Sequence, residues 1–248
     1  MKKLLPDNYK IARSIHLNKR LSELPAVTKG VHRGFEVYRV KAGGKLRVFR
    51  GNTGEGAKLK EIYDLRARLS SELKELKKSF KGDLDAASKG FSICVWEDER
   101  MGEEFYRKAV PGSSSYENKN KYVLNGINFR SRVEMVIAQV LTDLGLEYKY
   151  ECGIRCNGKM YSVDFLVFLP EFGRCFMIEY MGMLDDEGYV YKNSLKLRDY
   201  MTEGYYLGRD ILVLSGNGFE MPSVDQIRIG ICCMLETITV SHLTVFTF

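Results

Sequence analysis

The chain has 248 residues, 45% of them hydrophobic and 28% charged, with only 5 prolines. That composition excludes wholesale disorder and suits one core domain plus a smaller appendage, at roughly 100–200 residues per domain. No run approaches the roughly 18 consecutive apolar residues of a membrane span, so no membrane partner is expected. The start, Met1-Lys2-Lys3-Leu4-Leu5-Pro6-Asp7, is charged with no apolar stretch behind it, which leads to the expectation of a soluble, cytoplasmic protein.

Charge is distributed unevenly. Residues 1–125 carry 27 Lys+Arg against 16 Asp+Glu, a balance of +11, while residues 126–248 carry 11 against 16, a balance of −5. A basic half joined to an acidic half points to a polyanion-binding region coupled to a region with other work.

The first 30 residues are basic and lack a steady apolar period, so a loosely attached segment or a short helix is expected there. Two alternating runs follow, Phe35–Val40 and Lys45–Arg50, separated by Lys41-Ala42-Gly43-Gly44. They read as a β-hairpin over about 35–50, with one face packed and the other carrying Arg39 and Arg47. From Leu59 to Phe80, apolar residues recur every three or four positions (Leu59, Ile62, Leu65, Leu69, Leu73, Leu76, Phe80), which predicts an amphipathic helix over about 58–80. Its other face carries Lys60, Arg66, Lys74, Lys77 and Lys78 among interspersed glutamates. That face reads either as solvated and internally ion-paired or as a track for phosphates. The turn-forming stretch Pro111-Gly112-Ser113-Ser114-Ser115 through Lys121 marks the domain boundary. It separates a basic region, 1–115, from a second domain, 125–248.

The second domain has a clear rhythm. A helix is expected from Phe129 to Leu144, ended by Gly145, then strands at Glu147–Ile154, Lys159–Leu169 and Arg174–Tyr180, the first two joined by an Asn157-Gly158 turn. A helix over about Glu187–Glu203, a strand at Ile211–Ser215 and a helix over about Ser223–Thr237 complete the order α-β-β-β-α-β-α. That order predicts an α/β fold with a mixed central sheet.

Six cysteines without a secretion signal read as reduced thiols. Cys152 and Cys156 lack a second pair to make a zinc site, and Cys232-Cys233 read as small core residues. The three histidines are scattered, so neither a nucleophilic triad nor a histidine metal site is expected.

Acidic residues carry the chemistry. Asp164 sits mid-strand in Tyr161-Ser162-Val163-Asp164-Phe165-Leu166-Val167, and Glu179 sits late in the next strand, in Phe176-Met177-Ile178-Glu179-Tyr180. A carboxylate within an apolar strand is costly unless compensated. Two such carboxylates on adjacent strands repel unless a cation lies between them, which is how a hard divalent ion is held. Glu134, on the preceding helix, would point at the same spot. Singly, each residue also reads as an ordinary surface or sheet-edge group; the helix-strand-strand order favours the functional reading.

With these residues in that order, the chain resembles the PD-(D/E)XK nuclease superfamily over roughly residues 125–220. The superfamily has an α-β-β-β-α-β core, an acid on the first helix (here Glu134), an Asp on the second strand (Val163-Asp164) and an acid on the third (Glu179). The run Ile178-Glu179-Tyr180-Met181-Gly182-Met183-Leu184-Asp185-Asp186, followed by Tyr191-Lys192-Asn193, looks like a bacterial and phage-associated branch. The resemblance implies a restriction-endonuclease-like fold and an Mg²⁺- or Mn²⁺-dependent endonuclease. Its metal would be held by Asp164, Glu179 and the Tyr180 carbonyl, with Glu134 assisting. Where the pattern has a lysine two residues after Glu179, this chain has Met181, and Lys192 on the following helix is the expected substitute. The implied partner is nucleic acid, DNA ahead of RNA, gripped by Arg39, Arg47, Lys60, Arg66, Lys74, Lys77, Lys78, Arg130, Arg132 and Lys196, with a homodimer possible. The competing readings are a nuclease fold that binds nucleic acid without turnover, and a protein-interaction factor of a phage or mobile element.

Overall fold

The computed structural model describes residues 4–110, 122–217 and 219–245; the loop from Pro111 to Lys121, expected as the domain boundary, lies outside the described residues. The chain divides into two compact units, Lys10–Gly90 and a second made of Met1–Tyr9 with Phe91–Phe248. The segment 91–110, grouped by sequence with the basic half, therefore belongs with the second unit.

The first unit contains helix α1 (Asp7–Glu23) from Lys10 onward, strands β1 (Val27–His32), β2 (Phe35–Ala42) and β3 (Lys45–Arg50), and helices α2 (Gly54–Ser79) and α3 (Leu84–Ser88). The strands form an antiparallel sheet in the order β1-β2-β3. The expected hairpin is its second half, and its turn residues Gly43 and Gly44 both take positive φ, as a two-residue hairpin turn with the twist of the strands requires. Helix α2 starts where the Thr53 hydroxyl accepts from the Gly56 amide, and its predicted stripe faces inward, with Leu73 and Leu76 buried. The ring of Tyr38 packs on Tyr63 of α2 at 5.9 Å between centroids.

Helix α1 decides between the two expectations for the first 30 residues in favour of a helix, longer than the short one expected. It is 17 residues long, with Ala12, Ser14 and Leu17 fully buried, and Arg13 pairs with Glu72 of α2 at 2.9 Å. Small residues can fill an inner helix face without producing the large-residue period that a sequence reading seeks.

In the second unit the order continues through β4 (Phe91–Ile93), α4 (Glu103–Lys108), β5 (Tyr122–Leu124), β6 (Ile127–Phe129), α5 (Arg132–Leu144), β7 (Glu147–Cys156), β8 (Lys159–Leu169), β9 (Arg174–Met181), α6 (Glu187–Thr202), β10 (Ile211–Ser215), α7 (Val224–His242) and β11 (Leu243–Val245). The main sheet has the order β10-β9-β8-β7; β7, β8 and β9 run antiparallel and β10 lies parallel to β9. The unit is thus an α/β fold with a mixed sheet and the expected α-β-β-β-α-β-α succession from α5 to α7. Ser131 caps α5, and Gly145 ends it in the left-handed region with φ 73°. The strands of the sheet are almost wholly buried over Val163–Leu169 and Arg174–Glu179.

One expectation in α7 is reversed. The helix buries Ile227, Ile231, Met234, Leu235 and Ile238, while Cys232 is half-buried and Cys233 exposed. The buried thiols are instead Cys152, Cys156 and Cys175 in the strands, and burial raises Cys152 to about 11 and Cys156 to about 12. Among the described residues, no helix is long and apolar enough to cross a membrane.

Candidate active site

The antiparallel register of β8 and β9 pairs Phe165 with Ile178, and Asp164 and Glu179 are the residues directly beyond that last pair on their strands. Both carboxylates are nearly inaccessible, at 6% and 4%, and both line a cleft of about 820 Å³. Glu179 accepts from Lys196 Nζ at 2.7 Å and from the Tyr200 hydroxyl at 2.9 Å. Lys196 and Tyr200 are four apart on α6 and so share one face of that helix. Lys196 also donates to the Ser162 carbonyl at 2.8 Å, which fixes the ammonium beside the strand carrying Asp164.

Asp164 is held on its other side. Its Oδ2 accepts from the Tyr180 backbone amide at 2.7 Å, and its Oδ1 accepts from Arg130 Nη2 at 3.0 Å. The Arg130 guanidinium reaches three acids: besides Asp164, its Nε lies 2.6 Å from Glu151 Oε1 and its Nη2 lies 3.9 Å from Glu134 Oε1. Glu134 is fixed in turn, accepting from the Tyr150 hydroxyl at 2.5 Å and from the Arg130 backbone amide at 3.1 Å. Glu151 stands mid-strand with φ 50°, between the pairs Tyr150–Phe165 and Cys152–Val163. A non-glycine residue in the left-handed region inside a strand is strained, and such strain concentrates at functional positions.

The electrostatics follow from this crowding. Four buried carboxylates (Glu134, Glu151, Asp164 and Glu179) face two basic side chains, Arg130 and Lys196. Burial, and then the charge of Glu179, raises Asp164 to about 7. Burial likewise lifts Glu179 above the usual carboxylate range against the opposing pull of Lys196 and Tyr200. Burial works against the Arg130 charge, yet Glu134, Asp164 and Glu151 outweigh it and hold the guanidinium more firmly protonated than usual. A site with this surplus of buried negative charge takes up protons or a cation.

Among the described residues, no three His, Cys, Asp or Glu side chains gather closely enough to hold a metal ion by themselves. Mg²⁺ does not require three: it is held by one or two carboxylates and keeps several waters. Asp164 and Glu179, oxygen donors facing one cleft with a net negative surplus, fit that demand. The Tyr180 carbonyl, expected as a further ligand, accepts a long 3.4 Å bond from the Tyr189 hydroxyl.

The expected site residues divide accordingly. Asp164, Glu179, Glu134, Tyr180, Arg130, Lys192 and Lys196 all border the same cleft. Lys196, expected to grip nucleic acid, is the lysine that meets Glu179. Lys192 is exposed and, among the described residues, makes no hydrogen bond or ion pair. The reason is position along the helix and not its phase: Lys192, Lys196 and Tyr200 are successively four apart and share one face, and Lys192 lies one turn nearer the start of α6. Arg130 is engaged by carboxylates, while Arg132 is exposed.

In the Lys10–Gly90 unit, Arg66 departs from its expected role: it donates to the carbonyls of Leu21 and Leu24 at 2.8 and 2.7 Å and so finishes the end of α1. Lys77 pairs with Asp85 at 2.5 Å and Lys78 with Glu75 at 3.3 Å, whereas Arg47, Lys60 and Lys74 are exposed and Arg39 is half-buried. Sequence reasoning missed Glu151, Tyr150 and Tyr200. Glu151 carried the same signal as Asp164, a carboxylate inside a strand, but its neighbours Tyr150 and Lys149 made β7 look half-exposed. Comparison with known protein families, with curated proteins and with solved structures finds no match to this chain.

Proposed function

We propose that the chain is a divalent-metal-dependent nuclease that hydrolyses phosphodiester bonds of nucleic acid, with DNA the favoured substrate. The observation that carries this reading is the meeting of Asp164, Glu179 and Lys196 from β8, β9 and α6 at one cleft, with the ammonium 2.7 Å from Glu179. The grouping resembles the acid-acid-lysine pattern of the PD-(D/E)XK superfamily, with a lysine from the following helix standing in for the one that Met181 replaces.

Asp164 and Glu179 would hold Mg²⁺ or Mn²⁺, which when bound polarises a phosphate and acidifies water. The protein's own groups do the rest. Lys196, fixed by Glu179 and the Ser162 carbonyl, would supply positive charge to a phosphate bound in the cleft. Tyr200 orients Glu179, and the Tyr180 amide orients Asp164. Glu134 acts through Arg130 and Tyr150 rather than on substrate.

The Lys10–Gly90 unit has 20 Lys+Arg against 9 Asp+Glu, a balance of +11. It is suited to hold the phosphate backbone without reading sequence. With one such site per chain, double-strand cutting would call for two copies.

A second reading, a nuclease fold that binds without turnover, is favoured by the guanidinium seated on Asp164. The test is incubation of purified protein with plasmid and single-stranded DNA in Mg²⁺, Mn²⁺ or EDTA. Cutting in either metal, absent in EDTA and in Asp164→Asn, supports the nuclease. Binding without cutting in both metals overturns it in favour of the second reading.

A further inference from the structure

Arg130 stands out because its side chain does two incompatible jobs. It is 32% accessible and borders the cleft, where an arginine is suited to a substrate phosphate, yet its guanidinium is spread over Asp164, Glu151 and Glu134. The Asp164 oxygen it occupies, Oδ1, is the one left over once the Tyr180 amide has taken Oδ2. A cation that approaches Asp164 through Oδ1 therefore shares that oxygen with Arg130 or displaces it.

Resting on the nuclease reading above, we propose that Arg130 is a built-in counter-cation that competes with the divalent ion for Asp164, and that ion binding frees the guanidinium to take a phosphate of the substrate. The surroundings are arranged for such a move. Arg130 lies on the short segment between β6 and α5, outside both elements, so its side chain swings without breaking either. Its backbone amide stays anchored on Glu134 and Tyr150. Glu151, held at φ 50° in mid-strand, keeps a carboxylate beside the guanidinium in the resting arrangement. The device offsets part of the acid cluster's charge without metal and couples the metal to phosphate capture.

The test is calorimetric titration of the whole protein with MnCl₂ alone, with thermal melts as a check on folding. Arg130→Gln removes the competitor and should bind Mn²⁺ about tenfold tighter, the scale of one lost charge-assisted hydrogen bond. Lys192→Gln removes an equal charge from the same cleft without touching Asp164, and should tighten binding much less. In Mn²⁺, Arg130→Gln should also raise KM for DNA. Unchanged or weaker Mn²⁺ binding by folded Arg130→Gln overturns the proposal, as does equal tightening by both variants, because the effect would then be general electrostatics. If Arg130→Gln does not fold, Arg130→Lys, which keeps the charge but cannot span three acids, should still bind Mn²⁺ tighter than wild type; no gain overturns the proposal. Absence of Mn²⁺ binding and cutting in the wild type is a different failure, that of the nuclease reading itself.

Discussion

At Lys196 one ammonium joins two strands and a helix: it touches Glu179 of β9, the Ser162 carbonyl of β8, and its own α6. Replacing it with glutamine removes the charge nearest the acid pair while keeping an amide that can still bond. Lys196→Gln should therefore lower kcat by about a hundredfold or more, the scale of losing one fixed electrostatic stabiliser, with circular dichroism unchanged. The neighbouring Gly182 has a different role. A Cβ there would lie 2.7 Å from the Tyr180 ring, so a side chain at this turn requires that ring to shift. Gly182→Ala should displace Tyr180, whose amide fixes Asp164, and weaken Mn²⁺ binding in a direct titration.

Helix α6 is tied at its other end as firmly as at the site. Asp199, fully buried, accepts from the Tyr161 hydroxyl at 2.5 Å, from Lys159 at 3.0 Å and from Asn157 at 3.3 Å, so it pins the helix to the β7–β8 turn. Those bonds, Tyr161 first, hold its carboxyl below the usual range. A group with a depressed folded pKa stabilises the fold fully above its unfolded value, near ~3.9, and loses that contribution as pH falls through the folded value. The difference in urea midpoint between wild type and Asp199→Asn should thus be constant from about pH 7 to 5 and shrink below about pH 4. At the far end of β9, Arg174 and Asp210 form a buried pair at 2.9 Å, with the guanidinium 4.1 Å above the Trp96 ring. Asp210→Ala would strand a buried charge and should cost about 3–5 kcal/mol in denaturant unfolding.

The long elements of the second half were legible because period and punctuation agree there: Gly145 ends α5, Asn157-Gly158 turns β7 into β8, and β8 and β9 carry the apolar runs Phe165–Leu169 and Cys175–Ile178. The short pieces β4, β5, β6 and β11, three residues each, carry too few positions for a period to register. Asn125-Gly126, with φ 51° and 80°, is a hairpin signal of the same kind as Asn157-Gly158, but its flanking strands are too brief to announce it. The acid pair was legible because carboxylates in apolar strands are costly. Its cationic partners were not, because which turn of the shared Lys192–Lys196 face meets Glu179 depends on how α6 is set after the intervening loop.

On the scale of the whole chain, the charge asymmetry is structural as well as sequential, since the +11 balance belongs to one compact unit, Lys10–Gly90. Lys45 and Arg47 are exposed on β3, and reversing both to glutamate should weaken DNA binding while leaving the melting temperature in place. Wild-type affinity should fall about a thousandfold or more between about 50 and 200 mM salt if six cations neutralise phosphates. A flat salt response would remove this unit from nucleic-acid binding. In the proposed reading charge would place the substrate, while cleavage would rest on Asp164, Glu179 and Lys196 in the other unit. The most direct measurement is therefore the single-turnover cleavage rate of end-labelled DNA in saturating Mg²⁺ for wild type, Asp164→Asn, Lys196→Gln and Lys192→Gln. Cleavage abolished by Asp164→Asn, cut about a hundredfold or more by Lys196→Gln and little changed by Lys192→Gln is the predicted result. Equal rates in wild type and Asp164→Asn, or none in clean wild-type protein, would contradict the assignment of this cleft as a nuclease site.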